Sequence, residues 1–376
     1  LAMSRSITGE LRTVQPDPAF GDAVLLVRAD AGPNIGVGHV MRTLAIAEAW
    51  IELGGRAVFA SAELPVPIEA RLAQLGSRVV TVRSPESTAA LAVEVGAKFA
   101  IVDGYHLGGE YQQDLAATGA RVLVVDDRGE SATDAADMIL NPNATAKPEL
   151  YAGLHGELLL GPLYTLIRRE FRAVARARPL SEAARNEFVS FGGADPANLA
   201  PVALEALAQV DGLHVRLVAG AANPNAGELA VPAGARSTIE IVPWIQDIAG
   251  HMRWTELAVV AAGNTCWELA ACGVPMIAVP VADNQLAVSD ALGDLGLGIP
   301  LARDALDAAS LRAIVGSVMF DQIWRGNMQR KGPELIDGRG AFRVCSALRG
   351  ELLHGQLHRN HALADVKHAY PRSRGY

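Results

Sequence analysis

One histidine in this sequence stands where a glycine-rich turn meets the start of an apolar run with helical spacing. The stretch AGPNIGVGHVMRTLAIAEAW, residues 31–50, places Gly36 and Gly38 just before His39. Glycines let a ligand approach the backbone closely, and the N-terminus of a helix favours an anion. Histidine is a common general base, so His39 is a candidate for acid–base chemistry. A histidine that caps the helix or packs against it is the structural alternative.

A second glycine-rich turn occurs in SFGGADPAN, residues 190–198. Gly192 and Gly193 follow an apolar run, and Asp195 with Pro196 is typical of the start of a helix. Such a turn could hold an anionic group, and a simple tight turn is the alternative interpretation. The first glycine turn lacks the third glycine of the dinucleotide-binding fingerprint, so that type of site is not predicted there.

A third loop, in AAGNTCWELAACGVP, combines a helix start with an acidic side chain. After Gly263, either Asn264 or Thr265 can cap a helix whose N–H groups could hold a phosphate. Glu268 follows in what we predict to be the first turn, where it could reach a sugar hydroxyl. A glutamate there could equally interact with the helix dipole and bind no ligand.

Two more loops offer polar side chains just past predicted strands. In VADNQ, residues 281–285, the amides of Asn284 and Gln285 suit the hydroxyl and acetamido groups of a sugar better than acid–base chemistry. In VDGYH, residues 102–106, Tyr105 fits a packing role and a substrate contact equally well. These loops therefore indicate binding more than catalysis.

Short aliphatic runs precede all of these loops and predict buried strands. Helical patterns separate most of the runs, so the sequence predicts two Rossmann-like α/β halves with parallel sheets and ligands beyond the carboxyl ends of the strands. The predicted strands are 23–29, 56–61, 78–82, 99–104 and 121–127 in the first half, and 187–191, 213–220, 239–244, 257–263 and 275–282 in the second.

The domain organisation follows from where this series stops and restarts. A helical stretch near 162–174 leads into a polar and charged connector, and the strand series restarts after it. The C-terminal tail contains four of the nine histidines, so a mobile tail and a metal-binding tract are the two alternatives there. The predicted divisions are a loose extension at 1–20, a first domain at 21–174, a second domain at 187–305, a helical segment at 306–353 and a tail at 354–376.

Composition narrows the class of protein. A net charge of −8 with a pI near 5.6 argues against a nucleic-acid partner, which would require clustered Lys and Arg. Cys266, Cys272 and Cys345 lack the spacing of metal ligands and indicate reduced thiols in a cytoplasmic protein. The most apolar region, 257–282, is interrupted by polar residues, glycines and prolines, so membrane insertion is not expected. The first twenty residues have no clear signal peptide.

Taken together, these motifs resemble the UDP-sugar hydrolases of pseudaminic acid biosynthesis, which act on UDP-2,4-diacetamido-2,4,6-trideoxy-β-L-altropyranose, and the related spore-coat polysaccharide proteins. The matching stretches span about residues 24–300 and include IVDGYHL, VLVVDDR and LLLGPLYTLIRREF besides the three glycine-containing loops. That family is similar in fold to the GT-B glycosyltransferases, including the enzyme that completes lipid II. The resemblance implies an α/β, GT-B-like fold in which two Rossmann-like domains face a central cleft.

The resemblance also implies roles for individual residues. His39 would activate water for attack at the anomeric carbon, with UDP as the leaving group, and Asp30 would orient His39 or touch the sugar. Tyr105 and Asn284 would complete the catalytic set. No metal or other cofactor is implied, and the partner is a UDP-sugar bound by a monomer or weak homo-oligomer. The implied substrate-binding residues are Gly36, Gly38, Arg42, Gly192, Gly193, Trp244, Ile245, Gly263, Asn264, Thr265, Glu268 for the ribose, and Gln285 for the sugar.

Three functions remain open at this point. The first is a hydrolase that releases UDP and a free deoxyamino sugar. The second is a GT-B glycosyltransferase that uses an acceptor hydroxyl in place of water, and the third is a nucleotide-sugar binding protein without catalysis. A lipid-linked acceptor would call for an exposed apolar and basic patch on the first domain, and no such run is evident in the sequence, which favours the hydrolase.

Overall fold

The computed structural model describes residues 21–350, apart from 33–34, 173, 175–178, 221–222, 244 and 246, and for residue 284 it describes the backbone alone. The predictions for 1–20 and for the 354–376 tail lie outside the described residues. Within the described residues, no helix is both long enough and apolar enough to cross a bilayer.

The first half of the chain forms a seven-stranded parallel sheet. Its central strand, β1, is buried along its whole length, as an aliphatic run in a parallel sheet should be. The strands lie in the order β3-β2-β1-β4-β5-β6-β7. They are β1 (Val24–Ala29), β2 (Arg56–Ser61), β3 (Arg78–Thr81), β4 (Ala97–Asp103), β5 (Arg121–Val125), β6 (Met138–Asn141) and β7 (Glu157–Leu160), with helices α1 (Gly38–Glu52), α2 (Val66–Gln74), α3 (Pro85–Val95) and α4 (Gly109–Ala117) between them.

A single-turn helix, α5 (Arg169–Arg172), precedes the second sheet, which has six parallel strands in the order β10-β9-β8-β11-β12-β13. The strands are β8 (Asn186–Ser190), β9 (His214–Val218), β10 (Thr238–Val242), β11 (Leu257–Ala261), β12 (Met276–Val279) and β13 (Ile299–Pro300). The helices are α6 (Ala200–Ala208), α7 (Ile248–Trp254), α8 (Asn264–Ala271), α9 (Leu286–Asp294), α10 (Ala308–Val318), α11 (Gln322–Leu335) and α12 (Gly340–Leu348).

The last helix returns to the first domain. Val344 and Leu348 of α12 are fully buried in the same apolar cluster as Ile46 and Trp50 of α1. The indole N–H of Trp50 donates to the backbone oxygen of Ala23, 2.9 Å away, which ties α1 to the start of β1. Helix α1, which carries His39, is therefore buried on several sides and held as a rigid support.

All ten predicted strands are present, with shifted ends. Strands β6, β7 and β13 were not predicted, because four-residue and two-residue strands give too short a pattern to recognise. The helical stretch predicted near 162–174 was wrong, since the described residues of this range contain only a 3₁₀ turn at Pro162–Tyr164 and the single turn of α5. Tyr164 packs in a first-domain core, whereas Ile167 and Phe171 pack in a second-domain core, so the apolar spacing reflects a crossing between domains. The predicted domain boundaries stay predictions.

One carboxyl group lies in the second-domain core without a hydrogen-bond partner among the described residues. Glu187 on β8 is fully buried, and neither of its carboxylate oxygens has a hydrogen-bond partner among the described residues. Val189, two residues further along, lies on the same side of the sheet in the apolar cluster of that domain. Burial raises the pKa of Glu187 from its ordinary value of 4.5 to about 8. A charged carboxylate at this position is unfavourable, so the folded state favours the protonated form.

Because Glu187 is buried, we expect the stability of the folded protein to fall as the pH rises. The pKa of Glu187 is higher in the folded state than in the unfolded state. The stability that depends on protonated Glu187 is therefore fully present below pH 4.5 and is lost as the pH rises to about 8. We expect the free energy of unfolding to fall by roughly 2–4 kcal/mol across this window, and Glu187→Gln to remove most of the slope. Denaturant titrations at several pH values measure this, with Glu240→Gln on the same sheet as the exposed control. Parallel pH curves for the wild type and Glu187→Gln would contradict the prediction.

Candidate active site

The motifs singled out in the sequence meet at the points where the strand order of each sheet reverses. His39 follows β1, and its neighbouring strand β4 ends at Asp103; in the second sheet, Gly192 follows β8 and Gly263 follows the neighbouring β11. At such a point, the loops after two adjacent parallel strands run in opposite directions, and a crevice forms between them. Open α/β sheets bind ligands in this crevice. Both domains therefore present their expected binding edge.

A cavity of about 490 Å³ lies between the two domains. Its first-domain wall is largely polar, and its second-domain wall includes the start of α8 and one side of α9. The first-domain lining includes Gly38, His39, Arg42, Tyr105, Asp127, Arg128, Asn143, Thr165 and Leu166. The second-domain lining is Ala262, Gly263, Asn264, Trp267, Asp283, Gln285, Ala287, Val288 and Ala291.

His39 is oriented by a buried carboxylate. It is the second residue of α1 and is 8% exposed. Its Nδ1 lies 2.7 Å from Oδ1 of Asp103, which is fully buried at the end of β4. A carboxylate only accepts, so the hydrogen bond assigns the ring proton to Nδ1 and leaves Nε2 as the nitrogen available to the cavity. The side chain bonds to Asp103 rather than capping the helix, which argues against the capping alternative for His39.

Arg42, one helical turn after His39, also binds the Asp103 carboxylate and fixes its position. Its Nε donates to Oδ2 of Asp103 and its Nη2 to Oδ1, each at 2.6 Å, while Nη1 donates to Oδ2 of Asp127 at 2.6 Å. Burial alone would raise the pKa of Asp103, but the charge of Arg42 and the hydrogen bonds from Arg42 and His39 outweigh burial and lower it. Asp103 is therefore held as an anion that orients the His39 ring.

Tyr105 lies beside this pair as a hydrogen-bond donor. Its ring meets the His39 ring edge to face, with centroids 4.9 Å apart, and its hydroxyl donates to Oδ2 of Asp127 at 3.1 Å. Asn143 donates to the other oxygen of Asp127 at 2.9 Å. Burial, together with the nearby Asp127 charge, raises the pKa of Tyr105 to about 12. Tyr105 therefore keeps its proton at neutral pH.

The start of α8 faces the start of α1 across the cavity. A Cβ atom placed on Gly38 would lie 3.8 Å from Nδ2 of Asn264, and one placed on Gly263 would lie 3.7 Å from Nε2 of Gln285. The side-chain oxygen of Gln285 accepts from the backbone N–H of Val281 at 2.9 Å, which fixes the orientation of its amide. The N-terminus of α8 lies on the wall opposite His39, where the helix dipole could stabilise negative charge.

The structure corrects the expected role of Asp30 in orienting His39. The carboxylate of Asp30 accepts from Arg28, from the backbone N–H of Ala62 and from His106, each at 2.6 Å. Burial would raise the pKa of Asp30, but these hydrogen bonds and the charge of Arg28 lower it. Among the described residues, no hydrogen bond joins Asp30 to His39, so Asp30 does not orient that ring. Asp103 holds His39 instead.

The structure also corrects the predicted position of Glu268 in its helix. This residue is 8% exposed and is the fifth residue of α8, so it lies past the first turn and not at an exposed loop end. Both Nε and Nη2 of Arg168 donate to its Oε1, at 3.0 and 2.8 Å. Burial raises the pKa of Glu268, and the opposing effect of Arg168 does not cancel this. A ribose contact at Glu268 would therefore have to compete with, or share the carboxylate with, Arg168.

Several other predicted residues do not line the cavity. Gly36, with φ of 77°, forms the tight turn before α1 and requires glycine for that conformation. Gly192 and Gly193 lie at the carboxyl end of β8 against the glycine turn after β9. Trp244 and the side chain of Asn284 lie outside the described residues. The remaining predicted residues absent from the lining are Asp30, Ile245, Thr265 and Glu268.

Three residues of the site, Asp103, Asp127 and Asn143, were not among the predicted site residues. Asp103 lies in the quoted VDGYH motif, but its partnership with His39 spans 64 residues and depends on the adjacency of β1 and β4. Asp127 and Asn143 meet for the same kind of reason, because β5 and β6 are neighbours. A polar residue at the carboxyl end of a buried strand, or within two residues after it, is the signal that could have found these residues. The described residues include no group of three or more His, Cys, Asp or Glu side chains that could hold a metal ion.

Comparison with known proteins agrees with this architecture. The family model described as Glycosyltransferase family 28 C-terminal domain matches residues 189–321. The spore coat polysaccharide biosynthesis protein SpsG of Bacillus subtilis is 24% identical over 62% of this chain and 70% of its own length. The UDP-2,4-diacetamido-2,4,6-trideoxy-beta-L-altropyranose hydrolase of Campylobacter jejuni is 26% identical over 72% of this chain and 97% of its own length.

Solved structures share the two-domain arrangement. The crystal structure of MurG from Acinetobacter baumannii superposes with a TM-score of 0.61 at 16% identity, covering 88% of this chain and 99% of MurG. At this identity the likeness concerns the fold alone. With its two parallel-sheet, Rossmann-like domains facing a central cavity, the chain has the GT-B glycosyltransferase fold.

Proposed function

We propose that this protein is an enzyme that hydrolyses a UDP-linked deoxyamino sugar, of the UDP-2,4-diacetamido-2,4,6-trideoxy-β-L-altropyranose type, to UDP and free sugar for nonulosonic acid or surface polysaccharide biosynthesis. The observation that carries the proposal is the His39–Asp103 pair on the first-domain wall of the cavity, opposite the start of α8. The similarity to the Campylobacter jejuni hydrolase, over nearly all of that protein, supports the choice of substrate class.

In the proposed reaction, Nε2 of His39 takes a proton from water as the water oxygen forms a bond to the anomeric carbon. The bond between that carbon and the β-phosphate oxygen breaks, and the electron pair leaves with UDP. The Asp103 carboxylate stabilises the imidazolium that forms, as in other carboxylate–histidine pairs. The N–H groups at the α8 start stabilise the charge that develops on the departing diphosphate.

The remaining lining residues suit recognition of a neutral sugar. Tyr105 retains its hydroxyl proton at neutral pH, and Gln285 has its amide orientation fixed by the backbone of Val281. Asn143, held by Asp127, offers a second amide on the first-domain wall. Hydroxyl and amide groups can hydrogen-bond to sugar hydroxyl and acetamido substituents.

A glycosyltransferase is the second candidate function. It is favoured by the match to the glycosyltransferase family 28 model and by the apolar side of the cavity, where Leu166, Trp267 and Val288 could contact an acceptor. In that reaction, an acceptor hydroxyl would replace water and His39 would take its proton. A nucleotide-sugar binding protein without catalysis is the third.

Incubation with a panel of UDP-sugars in the absence of acceptor separates these functions. We expect release of UDP with an equal amount of free sugar at about 1 s⁻¹ or faster for the preferred substrate, a typical enzymatic rate. UDP release that requires an added acceptor would favour the transferase. Tight binding of UDP-sugars with no product in either condition would contradict both catalytic proposals.

A further inference from the structure

Arg128 is a charged side chain of the cavity that has no role in the proposed reaction. Arg128, in the loop after β5, lines the first-domain wall and is exposed. Its guanidinium carbon lies 4.5 Å from the centre of the Tyr105 ring, a distance at which a cation is attracted to an aromatic face. Because Tyr105 also contacts the His39 ring, Arg128 lies close to the proposed catalytic group.

The loop that carries Arg128 is fixed by a buried carboxylate. Asp126 is fully buried and accepts from five successive backbone N–H groups, those of residues 128–132, at 2.9 to 3.3 Å. Burial would raise the pKa of Asp126, but these hydrogen bonds outweigh it and lower the pKa. The backbone at Arg128 is therefore pre-organised, and less ordering entropy is lost when its side chain binds a partner.

The other charges of the first-domain wall are already paired. Arg42 is bonded to Asp103 and Asp127, and Asp127 also accepts from Tyr105 and Asn143. In the part of the chain that the structure describes, no carboxylate forms an ion pair with Arg128. Arg128 therefore lines the cavity with no ion-pair partner among the described residues, which leaves its guanidinium available to a ligand.

The second-domain wall adds no cation to the described lining. Its nine lining residues include neither Lys nor Arg, and Asp283 contributes a carboxylate. The start of α8 supplies only a partial positive charge, equivalent to about half an elementary charge. A substrate with a diphosphate brings several negative charges, so a cation on the opposite wall would favour its binding.

We propose that Arg128 forms a subsite for an oxyanion of the substrate, an inference that rests on the proposed function of the same cavity. The oxyanion that the proposed substrate offers to a guanidinium is a phosphate of the nucleotide. A carboxylate on the sugar has the same chemistry, but it would belong to a different class of sugar from the neutral one proposed above. In either case Arg128 contributes affinity across the cleft, from the first domain to a ligand held by the second. Arg128 is a binding residue in this assignment, and proton transfer remains with His39.

Calorimetric titration with uridine, UDP, UDP-glucose and UDP-glucuronic acid tests the subsite. Arg128→Gln is expected to lower affinity by roughly tenfold for the ligand whose oxyanion it binds, which is the usual effect of losing one charge-assisted hydrogen bond. A loss on UDP with no loss on uridine identifies the phosphate. A loss on UDP-glucuronic acid with no loss on UDP-glucose identifies the carboxylate. Arg128→Lys, which keeps the charge, should fall between the wild type and Arg128→Gln.

The control is Arg83→Gln, which removes an exposed arginine of the same domain that does not line the cavity. Unchanged affinities in Arg128→Gln, an equal loss for all four ligands, or the same loss in Arg83→Gln would overturn the subsite. If the wild type bound none of the four ligands, the proposed function would fall together with the subsite. Binding by the wild type with no effect of Arg128→Gln would overturn the subsite alone.

Discussion

Replacement of His39 by Asn is expected to lower the turnover of the UDP-sugar by roughly 10²- to 10⁴-fold, the usual contribution of a general base. The Asn amide can still donate a hydrogen bond toward Asp103, so the buried carboxylate keeps a partner and the fold should persist. An amide is not a base, however, so the water molecule would no longer lose its proton to the protein. Steady-state kinetics and the melting temperature of the same variant measure the two effects separately.

His155→Asn is the matched control for His39→Asn. The His155 side chain is 90% exposed and lies near Asp134, outside the cavity lining, so its replacement should leave turnover unchanged. If His39 had only a packing role, His39→Asn would retain near-normal turnover with a lower melting temperature. That combination would rule out the catalytic assignment. A large loss of turnover at an unchanged affinity for UDP would support it, because UDP binding does not require the base.

Asp103→Asn is expected to be the most damaging substitution in stability and activity together. It leaves the buried Arg42 guanidinium without one of its two charge partners, and removing one member of a buried pair typically costs about 3–5 kcal/mol. It also replaces one of the two acceptor oxygens by an NH₂ donor, so the Nδ1–H form of His39 is no longer fixed, and we expect turnover to fall by roughly 10²-fold or more. Chemical denaturation and turnover at saturating substrate measure the two losses.

The pH dependence of the Asp103 contribution differs in sign from that of Glu187. Because its partners lower the pKa of Asp103 below the ordinary 3.8, its contribution is fully present above that pH and is lost only as the pH falls through the lowered pKa. The Asp103→Asn deficit should therefore persist across the neutral range. A deficit that disappeared near pH 7 would contradict the charged pairing with Arg42.

Asp30→Asn distinguishes between the two carboxylates that the sequence offers near His39. Asp30 is also buried and paired, with Arg28 and His106, so its replacement should lower stability. It does not line the cavity, so turnover should change far less than in Asp103→Asn. The reverse ranking of the two variants in turnover would return the orienting role to Asp30 and contradict the contact seen in the structure.

Local sequence patterns were sufficient for most of the fold. The six residues of β1 are all buried, and the aliphatic run at that position needs no distant information to be recognised as a parallel strand. The segment 162–174 shows where this reasoning fails, because Tyr164 and Phe171 pack in the cores of different domains. Apolar spacing records that a side chain is buried, but it does not record which core receives it.

The sequence by itself determined that His39 starts a helix after a glycine turn, since Gly36 and the apolar run of α1 are local features. Only the tertiary structure decided which carboxylate accepts a hydrogen bond from His39 and orients its ring. Asp30 is nine positions away in the chain and Asp103 is 64 away, yet the strand order places β4 beside β1 and brings Asp103 to within 2.7 Å of the ring. Likewise, Glu268 has a partner in Arg168, which precedes it by 100 residues. Contacts of this kind depend on strand order and domain docking, which are set by the packing of the whole chain.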